Sequence, residues 1–245
     1  MSGRESESGA EAARGERLVR ALGYRFNDAS LLQRALTHRS HGSDNNERLE
    51  FLGDALLNFA IGAEIFRVRP AAPEGDLSRL RASLVREETL AIAARRLPLA
   101  DAVRLGSGEL KSGGFRRDSI LADAFEAIIG AVYLDGGIEP AVQLCVRLLE
   151  PELQNMPDAG SLKDPKTRLQ EFLQASSRPL PEYLVLREEG PAHRRHFSVQ
   201  CRLPDSDEQV EAEGASRRNA EQQAAERMLE RLQKTPPMAQ ENHHA

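Results

Sequence analysis

The hydrophobic pattern of this chain is helical throughout its first part and mixed after that, and this change limits what it can fold into. From Glu16 to Leu149 apolar residues recur at helical spacing, and no alternating stretch interrupts them. Later the spacing switches. Phe197, Val199, Cys201 and Leu203 alternate with polar residues, and Val210, Ala212 and Gly214 do the same. Between the two patterns lies EPELQNMPDAGSLKD, residues 150–164. Its prolines, glycine and polar residues carry no period and read as a linker. The expected fold class is an all-α domain over 16–149, then a small α+β domain of order α-β-β-β-α over 165–234. The polar ends, 1–15 and 235–245, are expected to be disordered tails.

Punctuation residues place the elements. ERLVRAL closes on Gly23, and Asn27 or Asp28 can cap ASLLQRAL. Longer helices are expected from about Asn46 to Val68, Asp76 to Leu97, Ser119 to Leu134 and Glu139 to Leu149. Leu105–Phe115 reads as a flexible loop that carries Lys111 and is followed by Arg116 and Arg117, basic residues suited to a polyanion. In the second domain the spacing predicts a helix over Thr167–Ser176 and strands at Glu182–Arg187, Phe197–Leu203 and Val210–Gly214. A last helix is expected over Ser216–Leu232.

Composition excludes several classes. Cys145 and Cys201 are the only cysteines among 245 residues, too few for a disulfide scaffold or a Cys-rich zinc site. They read as small apolar core residues, and their scarcity suits a cytoplasmic protein. The N-terminus lacks an apolar signal segment, and no apolar run is long enough to span a membrane. The net charge of −5 argues, by itself, against a nucleic-acid binder. Between Ser161 and Thr235, however, 13 Lys and Arg stand against 13 Asp and Glu, so placement matters more than the total.

The acids themselves are unusually placed. With Glu47 at 0° on a helical wheel, Glu50 falls at about −60° and Asp54 at about −20°. Leu49, Leu52, Leu56, Phe59, Ala60 and Ala63 fall on the other side, so the acids are expected to stand away from the core stripe. Asp123 and Glu126 pair in the same way on the helix SILADAFEAIIG, opposite Leu121, Phe125, Ile128 and Val132. Like charges at this spacing destabilise a helix. From spacing alone, a hard-cation site and a solvated face are equally good readings. Phe51 falls beside the acids, either as an additional core contact or as the seat of a second copy of the helix. His38 and His41 could form an acid/base pair, though such a cluster near a helix end more often packs or caps.

ERLEFLGDALL at Glu47–Leu57 resembles the signature of the ribonuclease III family. HRS at His38–Ser40, EGDLSRLRASLV at Glu74–Val85 and SILADAFEAIIGAVYLDGG at Ser119–Gly137 are similar to its other blocks, in the same order. KDPKTRLQEFLQ at Lys163–Gln174 and SRRNAEQQAAERML at Ser216–Leu229 resemble a double-stranded-RNA-binding domain. The resemblance implies an endoribonuclease that cuts double-stranded RNA with Mg²⁺ (or Mn²⁺ in its place) as a homodimer. It implies metal ligation by Glu50, Asp54, Asp123 and Glu126, with Asp54 and Glu126 catalytic; Glu47 and Glu74 also match family acidic positions, as supporting acids of the site, substrate contacts or dimer contacts. It makes Phe51 an intersubunit aromatic. RNA contacts are implied at Thr167, Gln170, Glu171, Gln174, His193, Arg217 and Arg218. Asn219 stands where many relatives carry Lys. Expected substrates are precursor ribosomal RNA and structured messenger RNA. The expected products carry 5′-phosphate and 3′-hydroxyl ends with a short 3′ overhang.

Overall fold

The computed structural model describes residues 13–191 and 194–234. The chain divides into two compact units between Ala159 and Gly160.

The first unit is helical. Helix α1 covers 13–22 and stops at Gly23, whose φ of +58° suits glycine. Helix α2 (Ala29–Ala35) is capped by Asp28, whose carboxylate accepts from Ser30 N at 2.9 Å. There follow α3 (Glu47–Val68), α4 (Glu74–Leu84), α5 (Glu87–Arg95), α6 (Leu99–Ala102), α7 (Ser107–Lys111) and a 3-10 turn (Gly114–Arg116). Helices α8 (Asp118–Gly136), α9 (Ile138–Leu148) and α10 (Glu150–Gln154) complete the unit. Helix α8 is the hub, with α2, α3, α5 and α9 packed around it. Its residues Ile120, Leu121, Phe125, Ile128, Ile129 and Val132 are buried. Full burial of such side chains stabilises by about 1.5–3 kcal/mol each.

Four expectations need correction. The helix expected over 76–97 breaks at Val85–Arg86, where Arg86 is extended (ψ 154°). The Thr89 hydroxyl donates to the Ser83 carbonyl at 2.8 Å, so a side chain replaces a helix bond without any Gly or Pro signal. The expected loop 105–115 holds α7 and most of the 3-10 turn, pinned by Arg117 to Glu109 at 3.0 Å. The expected linker 150–164 opens as α10. Pro151 is tolerated in its first turn, and Arg96 grips Glu152 at 2.6 Å. Residues 13–15, expected in the tail, are already helical, while 1–12 and 235–245 lie outside the described residues.

The second unit begins with α11 (Pro165–Ala175), capped by Asp164. Strands β1 (Glu182–Glu189), β2 (His196–Arg202) and β3 (Gln209–Gly214) form an antiparallel sheet in that order. Helix α12 (Arg217–Lys234) closes the unit. Leu169 and Leu173 of α11 and Ala224, Met228 and Leu232 of α12 meet Cys201 and Ala212 in one core. The α-β-β-β-α order follows the alternation in the sequence, and both cysteines are buried and free. Ion pairs lace the surface, including Arg178–Asp205, Arg195–Glu188, Arg202–Glu182 and Lys163–Glu171. No helix among the described residues is long and apolar enough to cross a membrane.

Candidate functional site

The acids meet where α3 crosses α8. The contact is made by glycines: a Cβ on Gly53 would overlap the Glu126 carbonyl, and one on Gly130 would overlap that of Leu49. This moves the buried face of α3 to Leu49, Gly53, Leu56, Leu57, Ala60, Ile61 and Ile65, while Phe59 and Ala63 are exposed. The expected separation of acids and core is thereby corrected. Glu50 borders the buried face, because the face is centred on a residue without a side chain.

One carboxylate oxygen each from Glu50, Asp123 and Glu126 lies within 4.8 Å of the others. All three are half-buried. Burial, and then Asp54, Glu50 and Asp123, push the Glu126 carboxyl up to about 8. Burial also raises Asp123, with Glu87 adding to the effect while His38 and Arg39 oppose it. Glu50 is raised by burial, Asp123, Glu47 and Asp54, against Arg39. Asp54 lies outside the triad. It is exposed, and its Oδ1 accepts from Asn58 at 2.9 Å. Crowded oxygens with unsatisfied negative charge are the donor set a hard divalent cation takes.

A cleft of about 550 Å³ opens beside the triad. Its walls include His38, Arg39, Glu47, Glu109, Arg117 and Asp123. Glu47 pairs with Arg39 at 3.6 Å. Glu74 begins α4, accepts from Ser78 at 2.7 Å and is not part of that wall. Sequence reasoning missed Glu109 and Glu87, since neither shares a helix face with another site acid. His38 is buried with Nδ1 2.8 Å from Ser40 Oγ, and His41 Nδ1 stands 3.3 Å from the Leu105 carbonyl. The rings thus bond to Ser40 and Leu105 rather than to each other. Phe51 is 79% exposed, in line with exposed Phe59 and Phe66.

In the second unit, Gln170, Glu171 and Gln174 are exposed along α11, with Glu171 held by Lys163. Thr167 is half-buried, its hydroxyl donating to Asp164 at 2.6 Å. Arg217 and Arg218 open α12, exposed. Asn219 accepts from Gln223 at 3.1 Å. His193 lies outside the described residues. Burial alone would raise Glu221, but Lys166 and Arg217 outweigh it and hold the carboxyl below its usual range.

A helical unit with a crowded carboxylate site, joined to an α-β-β-β-α unit, defines a class: a nuclease domain with a double-stranded-RNA-binding domain. Residues 28–153 match the family model described as ribonuclease-III-like, and 165–232 match the double-stranded RNA binding motif. A relative from Alkalilimnicola ehrlichii called Ribonuclease 3 is 57% identical, covering 86% of this chain and 93% of its own length. Another Ribonuclease 3, from Actinobacillus pleuropneumoniae, is 54% identical over 89% of this chain and 97% of its own. The nuclease domain of ribonuclease III from Campylobacter jejuni superposes with a TM-score of 0.56 at 46% identity. The match covers 57% of this chain and 98% of that domain, whose solved structure is described for flexibility in a region involved in dimer formation. The chain belongs to the ribonuclease III family, endoribonucleases acting on double-stranded RNA.

Proposed function

We propose that the protein is a Mg²⁺-dependent endoribonuclease that hydrolyses double-stranded RNA as a homodimer. The observation that carries this reading is the convergence of Glu50, Asp123 and Glu126 within 4.8 Å, on a chain that also carries an RNA-binding domain. These three residues and nearby Asp54 would hold the cation. Bound there, it supplies charge neutralisation for the phosphodiester and a water of lowered pKa; Mn²⁺, also oxygen-seeking, substitutes. Asp54 and Glu126 are the catalytic acids, and Glu47 and Glu74 support the site. Attack by water at phosphorus leaves a 5′-phosphate and a 3′-hydroxyl. Paired sites in the dimer cut both strands and leave a short 3′ overhang.

The exposed row of Phe51, Phe59 and Phe66 on α3 supports the homodimer, because large aromatics in line on one face favour burial against a partner. We assign catalysis to 16–149 and duplex binding to 165–234, through Thr167, Gln170, Glu171, Gln174, His193, Arg217 and Arg218. Such domains read the A-form minor groove and 2′-hydroxyls rather than base sequence. Precursor ribosomal RNA and structured messenger RNA in the cytoplasm are the substrates this implies.

Incubating long duplex RNA with the protein tests the reading. We expect cleavage with Mg²⁺, none in EDTA, and none with Glu126→Gln, which should still bind. Uncut RNA with the wild type would leave a binding-only protein. Cyclic 2′,3′-phosphate ends, or activity in EDTA, would sink the hydrolytic mechanism and revive His38 and His41.

A further inference from the structure

One buried carboxylate joins the start of α11 to the start of α12. Glu221 is 9% exposed. Its Oε2 accepts from Lys166 Nζ at 2.8 Å, and its Oε1 accepts from Arg217 Nε at 2.8 Å. Lys166 Nζ also sits 4.3 Å from the centroid of the Tyr183 ring. Two further bonds run alongside. Lys166 N donates to Gln222 Oε1 at 3.1 Å, and Gln222 Nε2 donates to Asp164 Oδ1 at 2.9 Å. Beyond its bond to Glu221, the Arg217 side chain remains 64% exposed.

An arginine held through Nε keeps Nη1 and Nη2 outside that bond. A guanidinium ordered before it meets phosphate loses less rotamer freedom on binding than a loose one. A carboxylate so close would ordinarily cancel the cation. Here Lys166 adds a second positive charge, so the Lys166–Glu221–Arg217 trio keeps one net positive charge. An exposed i,i+4 pair on a helix surface contributes little and positions nothing. Glu221 differs in being buried and in having both oxygens engaged.

We infer that Glu221 is a positioning residue for duplex RNA: fixed by Lys166, it presents the Arg217 fork to a backbone phosphate at the start of α12. The inference rests on the reading of the second domain as the RNA interface. It also ties the arginine at the start of α12 to α11, the helix along which Gln170 and Gln174 are exposed.

The test is a double-mutant cycle on the full-length protein. Binding to a duplex RNA is measured in EDTA, across salt concentrations, for wild type, Glu221→Gln, Arg217→Ala and the double variant. We expect Glu221→Gln to weaken binding roughly three- to tenfold. We expect Arg217→Ala to reduce the salt slope by about 1. The double variant should bind no worse than Arg217→Ala. With Mg²⁺, Glu221→Gln should raise KM by a larger factor than it lowers kcat. A fold defect would weaken the Arg217→Ala background as well, so additive losses overturn the inference even if Glu221→Gln lowers the melting temperature. Wild-type affinity in Glu221→Gln, with Arg217→Ala impaired, overturns the inference alone. No duplex binding by the wild type overturns the parent reading with it.

Discussion

Gly53 of α3 lies against the carbonyl of Glu126 on α8, and no larger residue fits there without displacing backbone. The same close approach brings Glu50 to Asp123 and Glu126. Alanine in a helix interior normally gains about 0.5–1 kcal/mol over glycine. Here the overlap reverses the sign. Gly53→Ala is expected to destabilise the protein by about 1–3 kcal/mol, the usual cost of overpacking. It should also reduce Mg²⁺-dependent cleavage more than duplex binding. Denaturant unfolding and a cleavage assay on the same preparation check both.

The Glu126 carboxyl is held near 8, against about 4.3 in an unfolded chain. Between those values the folded state keeps a proton that the unfolded state releases. This contribution to stability is full below about pH 4 and is lost as pH rises through about 8. In chelator, the melting temperature should therefore fall between pH 5 and pH 8. Glu126→Gln should flatten that decline, and Mg²⁺ at pH 8 should raise the wild-type value but not that of the variant. Scanning calorimetry over the pH series decides it.

The acid at the start of α11 works in the opposite direction. Bonds from Thr167 hold Asp164 at about 2 despite some burial, and Gln222 adds to them. Its folded value is depressed, so the stability it brings is present above about pH 4 and lost as pH falls toward 2. Asp164→Ala should cost about 1 kcal/mol, as removal of a helix cap typically does. The loss should shrink in acid, as equilibrium unfolding at pH 7 and pH 3 will reveal.

Phe51→Ala is expected to weaken self-association by at least tenfold, because a central aromatic anchor contributes on the order of 2 kcal/mol. Sedimentation equilibrium measures the change. A wild-type chain that stays monomeric at all accessible concentrations would refute the dimer itself.

Much of this was legible in the sequence, for identifiable reasons. Alternating stretches occur only in the second unit, and they distinguish it from the helical first unit because burial follows side-chain direction. Spacing groups Glu50 with Glu47 and Asp54, and Asp123 with Glu126, but leaves a solvated face as an equal reading; the ligand assignment comes from the family resemblance. The wheel nevertheless misplaced the core of α3, because it weighed Phe59 as apolar and gave Gly53 no weight. Glycine contributes by absence, which a hydrophobic wheel does not register. The break at Arg86 was hidden for a related reason: the Thr89 hydroxyl stabilises it by a bond, not by punctuation. Glu109 and Glu87 reach the site from other elements, a tertiary fact without a local signal.

The ion pairs across the second unit have a consequence for how this protein meets its target. Arg178, Arg195, Arg202 and Lys163 are each engaged by a carboxylate of the same unit. Such pairs look like dipoles from a distance, and their field dies away faster than that of bare cations. A domain of this kind is not drawn to every polyanion in the cell. The expected consequence is a weaker long-range attraction to DNA and unstructured RNA than a basic domain of the same size would have. Slower capture is exchanged for selectivity, which suits an enzyme that would do harm by cutting wherever it landed.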